Sequence, residues 1–307
     1  MSDTDWHVPV MQKEVQEYLN LSANATFVDC TLGLGGHARL IAEGLGPDGH
    51  LIGIDRDAQS LSLAKANLAN SVCRKDFVHD DFRNIDKVLD GLKISQVEGM
   101  LFDFGISSFQ LDKPERGFSI KSDGPLDMRM DQDSFISAYD LVNSLSEQEI
   151  ASILHNYGEE RMSRRIARFL VEERAKKPIE STKELSEIVM RAMPGRLRHQ
   201  RIHPATRTFQ ALRIAVNREL ESIELALNKC VKYLKKNGRI CVIAFHSLED
   251  RIVKQKFRAY TVAQATAQGT DSVQLELVVR KPIRPMEEEV IANPRARSAR
   301  LRVAQKI

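Results

Sequence analysis

Glycines and carboxylates near the start of the chain have the types and spacing of a nucleoside-cofactor site. The loop Gly33–His37 carries three glycines and follows an apolar run that ends near Asp29. Eighteen residues after His37, Asp55 ends a second apolar run. Glycines let the backbone turn sharply and approach a ligand closely, and an acid at the end of the next strand can accept hydrogen bonds from ribose hydroxyls. The pattern predicts an adenosine-containing cofactor.

The glycine spacing alone does not identify that cofactor. Gly33, Gly35 and Ala38 match the dinucleotide fingerprint, and with Asp29 they also match the loop of S-adenosylmethionine (SAM) methyltransferases. Three predicted strands end in carboxylates, at Asp29, Asp55 and Asp103. Several carboxylates suit a sulfonium and an ammonium group better than a pyrophosphate. The sequence therefore favours SAM, with a dinucleotide site and a plain surface turn as the alternatives.

Apolar, β-branched runs predict seven strands. They are Thr26–Thr31, Leu51–Asp55, Arg74–His79, Gly99–Asp103, Arg239–Phe245, Val273–Arg280 and Ala299–Ala304. Helical patterns alternate with the first four, which indicates a parallel sheet with right-handed crossovers. A second mononucleotide-binding half, which a dinucleotide enzyme needs, is not recognisable. We predict an α/β fold of the class I SAM-dependent methyltransferase type, with a seven-stranded, mostly parallel, Rossmann-like sheet and an inserted helical domain.

The predicted insertion is strongly basic. We expect residues 1–110 and 215–307 to form the SAM-binding methyltransferase domain, and residues 111–214 to form a helical substrate (RNA)-recognition domain. Between Arg161 and Arg218 there are fifteen Lys and Arg but five Asp and Glu, in a chain whose net charge is +3. Such an excess favours contact with a nucleic acid over a set of solvated helical faces.

Composition bounds the class of protein. The chain has 307 residues, 42% of them hydrophobic and 28% charged, which is typical of a soluble globular protein. It has no run of about eighteen apolar residues and no apolar signal region at its start, so we expect no membrane contact. The four cysteines are scattered without metal-ligand spacing. We predict reduced core thiols, no metal site and a cytoplasmic protein.

Asp103 ends the fourth predicted strand, where amino-methyltransferases place an Asp or Asn. The usual Pro-Pro-aromatic sequence is replaced here by Phe104, Gly105 and Ile106. An exocyclic amine must be aligned with the sulfonium methyl and needs an acceptor for its proton. Asp103 could therefore orient the target amine, or it could hold the methionine ammonium of SAM. The residues leave both roles open.

Three further positions carry structural and functional interpretations. Phe82 follows the third strand, where it could frame an adenine ring or serve as a core aromatic. Ser247 and Asp250 are predicted to cap a helix after the fifth strand, beside His246, a candidate substrate contact. Apolar spacing from Phe209 onwards predicts one helix that extends as far as Leu234.

Nine motifs together resemble a known family, the bacterial 16S ribosomal RNA cytosine-N4 methyltransferases (RsmH, formerly MraW). The resemblance covers nearly the whole chain and is more specific than any single glycine loop. The motifs are Gly33–His37, Ile54–Asp57, Asp103–Ser108, Glu115–Ser119, Gly124–Met130, Tyr157–Arg161, His203–Gln210, Phe245–Arg251 and Asn293–Ser298.

The resemblance implies SAM-dependent methylation of the N4 exocyclic amine of a decoding-centre cytidine in 16S ribosomal RNA, with the small ribosomal subunit as partner. It implies that SAM is held by Gly35, Gly36, His37, Asp55, Phe82, Asp103 and Gln110. Asp103 is also the candidate catalytic residue. Family members often have Pro before that glutamine, where this chain has Phe109. The alternatives are a non-catalytic ribosome-assembly factor that binds RNA and an amino-methyltransferase of another nucleic acid. Both a monomer and a homodimer are open.

Overall fold

The computed structural model describes residues 9–198, 202–262, 264–266, 269–271 and 273–307. Its strands are β1 Thr26–Asp29, β2 His50–Asp55, β3 Arg74–His79, β4 Val97–Asp103, β5 Leu234–Ala244, β6 Gln264–Thr266, β7 Gly269–Asp271, β8 Leu275–Leu277 and β9 Arg300–Lys306. Its helices are α1 Gln12–Leu19, α2 Gly36–Gly44, α3 Ala58–Asn67, α4 Ile85–Gly91, α5 Ser108–Asp112, α6 Ala138–Ser144, α7 Glu147–Gly158, α8 Ser163–Arg174, α9 Thr182–Ala192, α10 Thr206–Asn217, α11 Glu219–Cys230, α12 Ser247–Tyr260 and α13 Glu287–Ala292.

The chain divides into two compact units. One consists of Met1–Gly105 with Leu220–Ile307, and the other, the inserted unit, consists of Ile106–Glu219. These divisions fall five residues before and five residues after the predicted boundaries at 110 and 215. None of the helices in the described parts of the chain combines the length and the apolar character needed to span a membrane.

The first unit is built on a seven-stranded sheet with the order β3-β2-β1-β4-β5-β9-β8. The first five strands are parallel, and β9 runs antiparallel to both of its neighbours. The strand order reverses between β1 and β4, and in such sheets ligands bind at the carboxyl ends of the strands beside this point. The predicted class I methyltransferase fold is confirmed.

Neighbouring residues of each strand point to opposite faces of this sheet, and both faces are buried. Phe27 of β1 and Leu51 of β2 pack in a cluster with residues of α1, α2 and α3. Val28 and Ile52 pack on the other face with residues of α4, α11 and α12. The four cysteines are free and buried, as the predicted core thiols require. Helices on both faces leave the carboxyl edge of the sheet as the place where loops can hold a ligand.

The inserted unit has its own apolar core, to which α6, α7, α8, α9 and α10 contribute. Polar side chains fix its loop-rich first third. The fully buried Arg116 donates hydrogen bonds to the carbonyl oxygens of Arg129 and Met130, at 3.0 and 2.9 Å. The Asn217 amide accepts from the main-chain N–H of Met130 at 2.8 Å and donates to the carbonyl of Met128 at 2.8 Å. These bonds satisfy backbone groups that the loop itself leaves unpaired.

The single helix predicted from Phe209 to Leu234 is wrong. The structure has two helices, because Arg218 adopts a left-handed backbone conformation with a φ of 49° that ends α10 after Asn217. α11 then stops at Cys230, and β5 begins at Leu234 rather than at Arg239. Residues 237–238 lie within β5, where the register with β4 shifts. Apolar spacing continues across the break, so it could not reveal it.

Candidate cofactor and catalytic site

The glycine loop after β1 has a backbone that ordinary side chains rarely adopt. Gly33 has a φ of 53° and Gly35, which caps the N-terminus of α2, has a φ of 87°. A Cβ atom at Gly35 would lie 3.1 Å from the side chain of Leu68. The main-chain N–H of Leu32 donates to the carbonyl of Ile54 at 2.9 Å, which fixes the loop against the end of β2. The loop therefore has a defined shape at the carboxyl edge of the sheet.

Asp55 connects this loop to the end of β2. Its Oδ2 accepts a hydrogen bond from the N–H of Gly33 at 2.6 Å, and its Oδ1 accepts from the N–H of Asp57 at 2.8 Å. Burial raises the pKa of Asp55 above its usual value, and these backbone N–H groups oppose that rise. Because a carboxylate oxygen has two lone pairs, each oxygen of Asp55 can accept one further hydrogen bond. The residue can both shape the loop and accept from a ligand hydroxyl.

Asp29, His37 and Asp103 come together where β1 and β4 end. The N–H of Asp103 donates to Oγ1 of Thr31 at 2.7 Å, which holds the two strand ends side by side. Nε2 of His37 lies 3.5 Å from Oδ2 of Asp103, without forming a hydrogen bond. Asp29 and His37 are 1% and 5% exposed, whereas a quarter of the Asp103 side chain is accessible. The cluster is thus buried at its base and open at Asp103.

Four buried polar atoms of this cluster have no hydrogen-bond partner. They are Oδ2 of Asp29, both ring nitrogens of His37 and Oδ1 of Asp103. Leaving a buried polar atom unpaired costs about 1–3 kcal/mol, so these atoms favour a ligand that can pair with them. Two carboxylates beside an imidazole fit a cationic ligand that carries N–H donors, and they repel a pyrophosphate. The residues present fit the methionine half of SAM.

The Asp29 carboxyl responds to its burial and to its neighbours. Burial raises its pKa to about 6, although His37 opposes the rise, and the nearby Asp103 and Asp55 add to it. Its Oδ1 accepts a hydrogen bond from the N–H of Thr31 at 3.1 Å. A cationic group placed beside the unpaired oxygen would favour the ionised form.

Phe82 lies in a short 3-10 turn after β3 and packs in the same apolar cluster as Val28 and Ile52. Its ring centroid is 5.8 Å from those of both Phe102 and Phe104, and the Arg56 guanidinium lies 5.4 Å from its ring. The side chain is 8% exposed. The structure therefore gives Phe82 the core role that the sequence left open, and its contact with an adenine ring stays a prediction.

His246, not Ser247, caps α12. Nδ1 of His246 accepts from the N–H of Glu249 at 3.5 Å, while the Glu249 carboxylate accepts from the N–H groups of Phe245 and His246 at 2.8 and 3.2 Å. Ser247 is the first helical residue, and Asp250 instead accepts hydrogen bonds from Arg302. The predicted cap was wrong by one residue because a histidine nitrogen can replace the usual hydroxyl acceptor.

Gln110 belongs to the inserted unit, where it is 4% exposed. It occupies the third helical position of α5 and forms a capping box with Ser107, the residue before the helix. Its Oε1 accepts from the N–H of Ser107 at 3.1 Å, and its N–H donates to Oγ of Ser107 at 3.2 Å. The next residue back, Phe109, stacks under the ammonium of Lys113, 4.1 Å from the ring centroid. The contribution of Gln110 to cofactor binding stays a prediction.

The model of the MraW methylase family matches residues 4–307. The chain belongs to the MraW methylase family. One relative, from Caldicellulosiruptor saccharolyticus, is 46% identical over 98% of this chain and 99% of its own length. Another, from Syntrophus aciditrophicus, is 47% identical over 98% of each chain. Both relatives are named ribosomal RNA small subunit methyltransferase H.

Two residues of this MraW-family site were missed by the sequence interpretation. Thr31 positions Asp103 through its hydroxyl, and it becomes recognisable only when β1 and β4 are known to be neighbours. Glu249 is fully buried at the carboxyl end of β5, where it accepts two main-chain N–H groups. The spacing from His246 to Glu249, equal to that of a Ser-x-x-Glu box, was the available signal.

The basic segment of this MraW-family chain divides into structural and exposed cations. Arg174 donates to the carbonyls of Val142 and Leu145, and Arg213 forms a two-point ion pair with Glu219, so these charges hold the inserted unit together. Four of the exposed cations lie on and just before α8. They are Arg161, Arg164, Arg165 and Arg168. We define these four as the α8 basic face.

Charge within this face is only partly compensated. Arg168 pairs with Glu172 at 2.9 Å, and the Arg165 guanidinium lies 5.6 Å from the ring of Phe169. Neither Arg161 nor Arg164 forms an ion pair with any described residue. Such a face is suited to contact with a polyanion.

Proposed function

We propose that this protein transfers a methyl group from SAM to the N4 exocyclic amine of a decoding-centre cytidine in 16S ribosomal RNA. The observation that carries the proposal is the cluster of Asp29, His37 and Asp103, with unpaired buried polar atoms at the carboxyl edge of a methylase-family sheet. The names of the relatives, ribosomal RNA small subunit methyltransferase H, support small-subunit RNA as the substrate.

SAM supplies an activated methyl group on a sulfonium centre. Asp55 would accept hydrogen bonds from the ribose hydroxyls, and the glycine loop that it holds would allow close approach of the cofactor. Asp29 and His37, whose buried polar atoms are unpaired, would hold the methionine half. Asp103 either joins them in holding the ammonium group or orients the target amine and accepts its proton.

The amine itself sets the demands on Asp103. The lone pair of N4 is delocalised into the cytosine ring, so the amine is a weak nucleophile. A carboxylate that accepts a hydrogen bond from the amine makes the nitrogen more electron-rich and fixes its direction. A base paired in a duplex cannot present this amine to the cofactor, so the target cytidine must leave any stack.

RNA is positioned by phosphate contacts from the α8 basic face, which read no sequence. We place the reaction in the cytoplasm, the compartment in which four free cysteines stay reduced. Within the proposal, the small ribosomal subunit is the partner.

Methyl transfer with purified protein tests the proposal. The protein is incubated with SAM labelled in its methyl group and, separately, with small-subunit particles and with naked 16S ribosomal RNA, and the RNA is digested to nucleosides. We expect label in N4-methylcytidine from at least one of the two substrates. Label in a different nucleoside would contradict the target, and SAM binding without transfer to either substrate would favour a non-catalytic assembly factor.

A further inference from the structure

The C-terminal part of the chain carries a second concentration of positive charge, outside the inserted unit. From Arg251 to Ile307 there are twelve Lys and Arg but five Asp and Glu. The net charge of +3 for the whole chain does not reveal this excess, because the part of the chain before Arg161 is acidic enough to offset it. The methyltransferase unit therefore has a basic region of its own.

Part of this charge surrounds a small open pocket framed by α12, β8 and β9. Its basic lining residues are Lys254, Arg258, Arg280 and Arg302, and its apolar lining includes Phe257 and Val303. The described lining contains no acidic side chain. The pocket thus combines a cationic rim with an apolar floor.

One of the four cations is already neutralised. Nε of Arg302 donates to Oδ1 of Asp250 at 2.6 Å and its terminal nitrogen donates to Oδ2 at 3.1 Å, and Arg300 also donates to this carboxylate at 3.1 Å. These guanidinium groups hold the pKa of Asp250 below its usual value, although burial opposes them. Asp250 therefore has no capacity left to compensate other cations of the pocket.

The other three cations are exposed and uncompensated. Throughout the parts of the chain that the structure describes, Lys254, Arg258 and Arg280 form no ion pair and no side-chain hydrogen bond. Lys254 and Arg258 are one turn apart on α12, a spacing at which like charges repel. Arg280 comes from the segment after β8 and adds a third charge to the same pocket.

Structural roles explain these cations only one at a time. Arg258 lies in the last turn of α12, where the helix dipole favours a positive charge. Arg280 follows the edge strand β8, where a charge discourages pairing with another sheet. Neither role accounts for Lys254, or for the convergence of three cations from two elements on one apolar-floored pocket.

We propose that this pocket binds the phosphodiester backbone of the RNA substrate. Arg258 and Arg280 present planar guanidinium groups that can bind phosphate oxygens at two points, and Lys254 adds a third charge. The inference rests on the proposed RNA substrate, and it gives the methyltransferase unit an RNA anchor separate from the α8 basic face.

A charge-matched pair of triple variants tests this site in the full-length protein. The test variant is K254Q/R258Q/R280Q, and the control variant is K65Q/K87Q/K93Q, which removes three exposed lysines elsewhere in the same unit. Binding to small-subunit particles and to a labelled single-stranded RNA oligonucleotide is measured across a series of salt concentrations. Melting temperature and SAM affinity verify that both variants fold.

We expect the test variant to bind RNA about 10- to 100-fold more weakly at physiological salt, and its salt dependence to be shallower by about two to three ion contacts. The control variant should bind like the unchanged protein. An unchanged salt slope in the folded test variant would overturn the site, as would an equal loss in the control. The site would also be overturned if inorganic phosphate displaced the labelled RNA at concentrations as low as those of unlabelled RNA. The pocket would then be a small-anion site.

The outcome separates this site from the proposed function. If the unchanged protein methylates small-subunit RNA and the test variant keeps its full salt slope, the pocket is not an RNA anchor and the function stands. If the unchanged protein binds RNA without methylating it and the test variant loses its slope, the pocket stands and the methyl transfer fails.

Discussion

Nε2 of His37 lies 3.5 Å from Oδ2 of Asp103, at the point where the start of α2 meets the end of β4. His37 is almost fully buried, and neither of its ring nitrogens has a hydrogen-bond partner. The pair therefore brings an imidazole that can donate or accept beside the accessible carboxylate of the site. It places Asp103, the candidate catalytic residue, within reach of the loop Gly33–His37, which is implied to hold the cofactor.

The two roles of Asp103 are separable by an Asp103→Asn variant. If Asp103 acts on the target amine, SAM affinity should stay near normal, and the single-turnover methylation rate should fall about 10²- to 10⁴-fold, as for a lost proton acceptor. If it holds the methionine ammonium, SAM should bind more weakly, and saturating SAM should restore most of the rate. Normal affinity together with a normal rate would remove Asp103 from both roles.

Asp55→Ala should weaken SAM binding about 10- to 150-fold, or roughly 1.5–3 kcal/mol, because it removes charge-assisted acceptors for the ribose hydroxyls. The same change also frees the N–H of Gly33, so the glycine loop loses an anchor. Calorimetric titration with SAM measures the effect, and Asp48→Ala, an exposed carboxylate of the same unit, is the control. Affinity equal to that of the control would contradict the assignment, and tight NAD binding would contradict SAM altogether.

The raised pKa of Asp29 predicts a pH-dependent affinity for SAM. A cationic ligand binds the ionised carboxylate better, so affinity should fall as the pH drops through the pKa of about 6. At about pH 5 only about one tenth of the carboxyl is ionised, which predicts about tenfold weaker binding than at neutral pH. Asp29→Asn should flatten this dependence, and an equal pH dependence in that variant would assign it to another group.

The same group has the opposite effect on the ligand-free fold. Because the pKa of Asp29 in the folded protein lies above the 3.8 of a free aspartate, its contribution to stability is complete below about pH 4 and is lost as the pH rises through about 6. The difference of about two pKa units corresponds to about 3 kcal/mol. Denaturant unfolding at several pH values should show this loss in the unchanged protein and not in Asp29→Asn.

The α8 basic face should supply phosphate contacts without affecting the cofactor. Reversing Arg164, Arg165 and Arg168 to Glu should raise the RNA dissociation constant and flatten its dependence on salt, while SAM affinity is unchanged. Arg168 already pairs with Glu172, so we expect it to contribute least. RNA affinity titrations at three salt concentrations check this, and an unchanged slope would make the face a solvated helix surface.

Much of the fold was predictable because strand ends and helix starts leave local signals. Asp55 and Asp103 end their strands as the sequence predicted, and β1 ends at Asp29, two residues before its predicted end at Thr31. Ser-x-x-Glu sequences at Ser146 and Ser181 form capping boxes, and these begin α7 and α9 with both reciprocal hydrogen bonds. The break at Arg218 was not predictable, because it depends on a left-handed backbone that leaves the apolar spacing intact.

For the candidate site, the sequence predicted which strand ends lie together. The carboxyl ends of adjacent parallel strands share one edge, so the sequence alone groups these acids. Thr31 beside Asp103 and Glu249 beneath His246 depend on pairings between distant segments or on an unusual cap. The cationic pocket was hidden for a similar reason, because Arg280 and Lys254 converge only after β8 has paired with β9.

Mapping methyl groups on 16S ribosomal RNA from cells with and without the gene tests the central claim most directly. The RNA is digested, and mass spectrometry locates each methylated nucleotide. The proposed function predicts that one decoding-centre cytidine loses a methyl group from N4 when the gene is deleted, and regains it when the unchanged gene is restored. Identical methylation of that cytidine in both strains would contradict the claim.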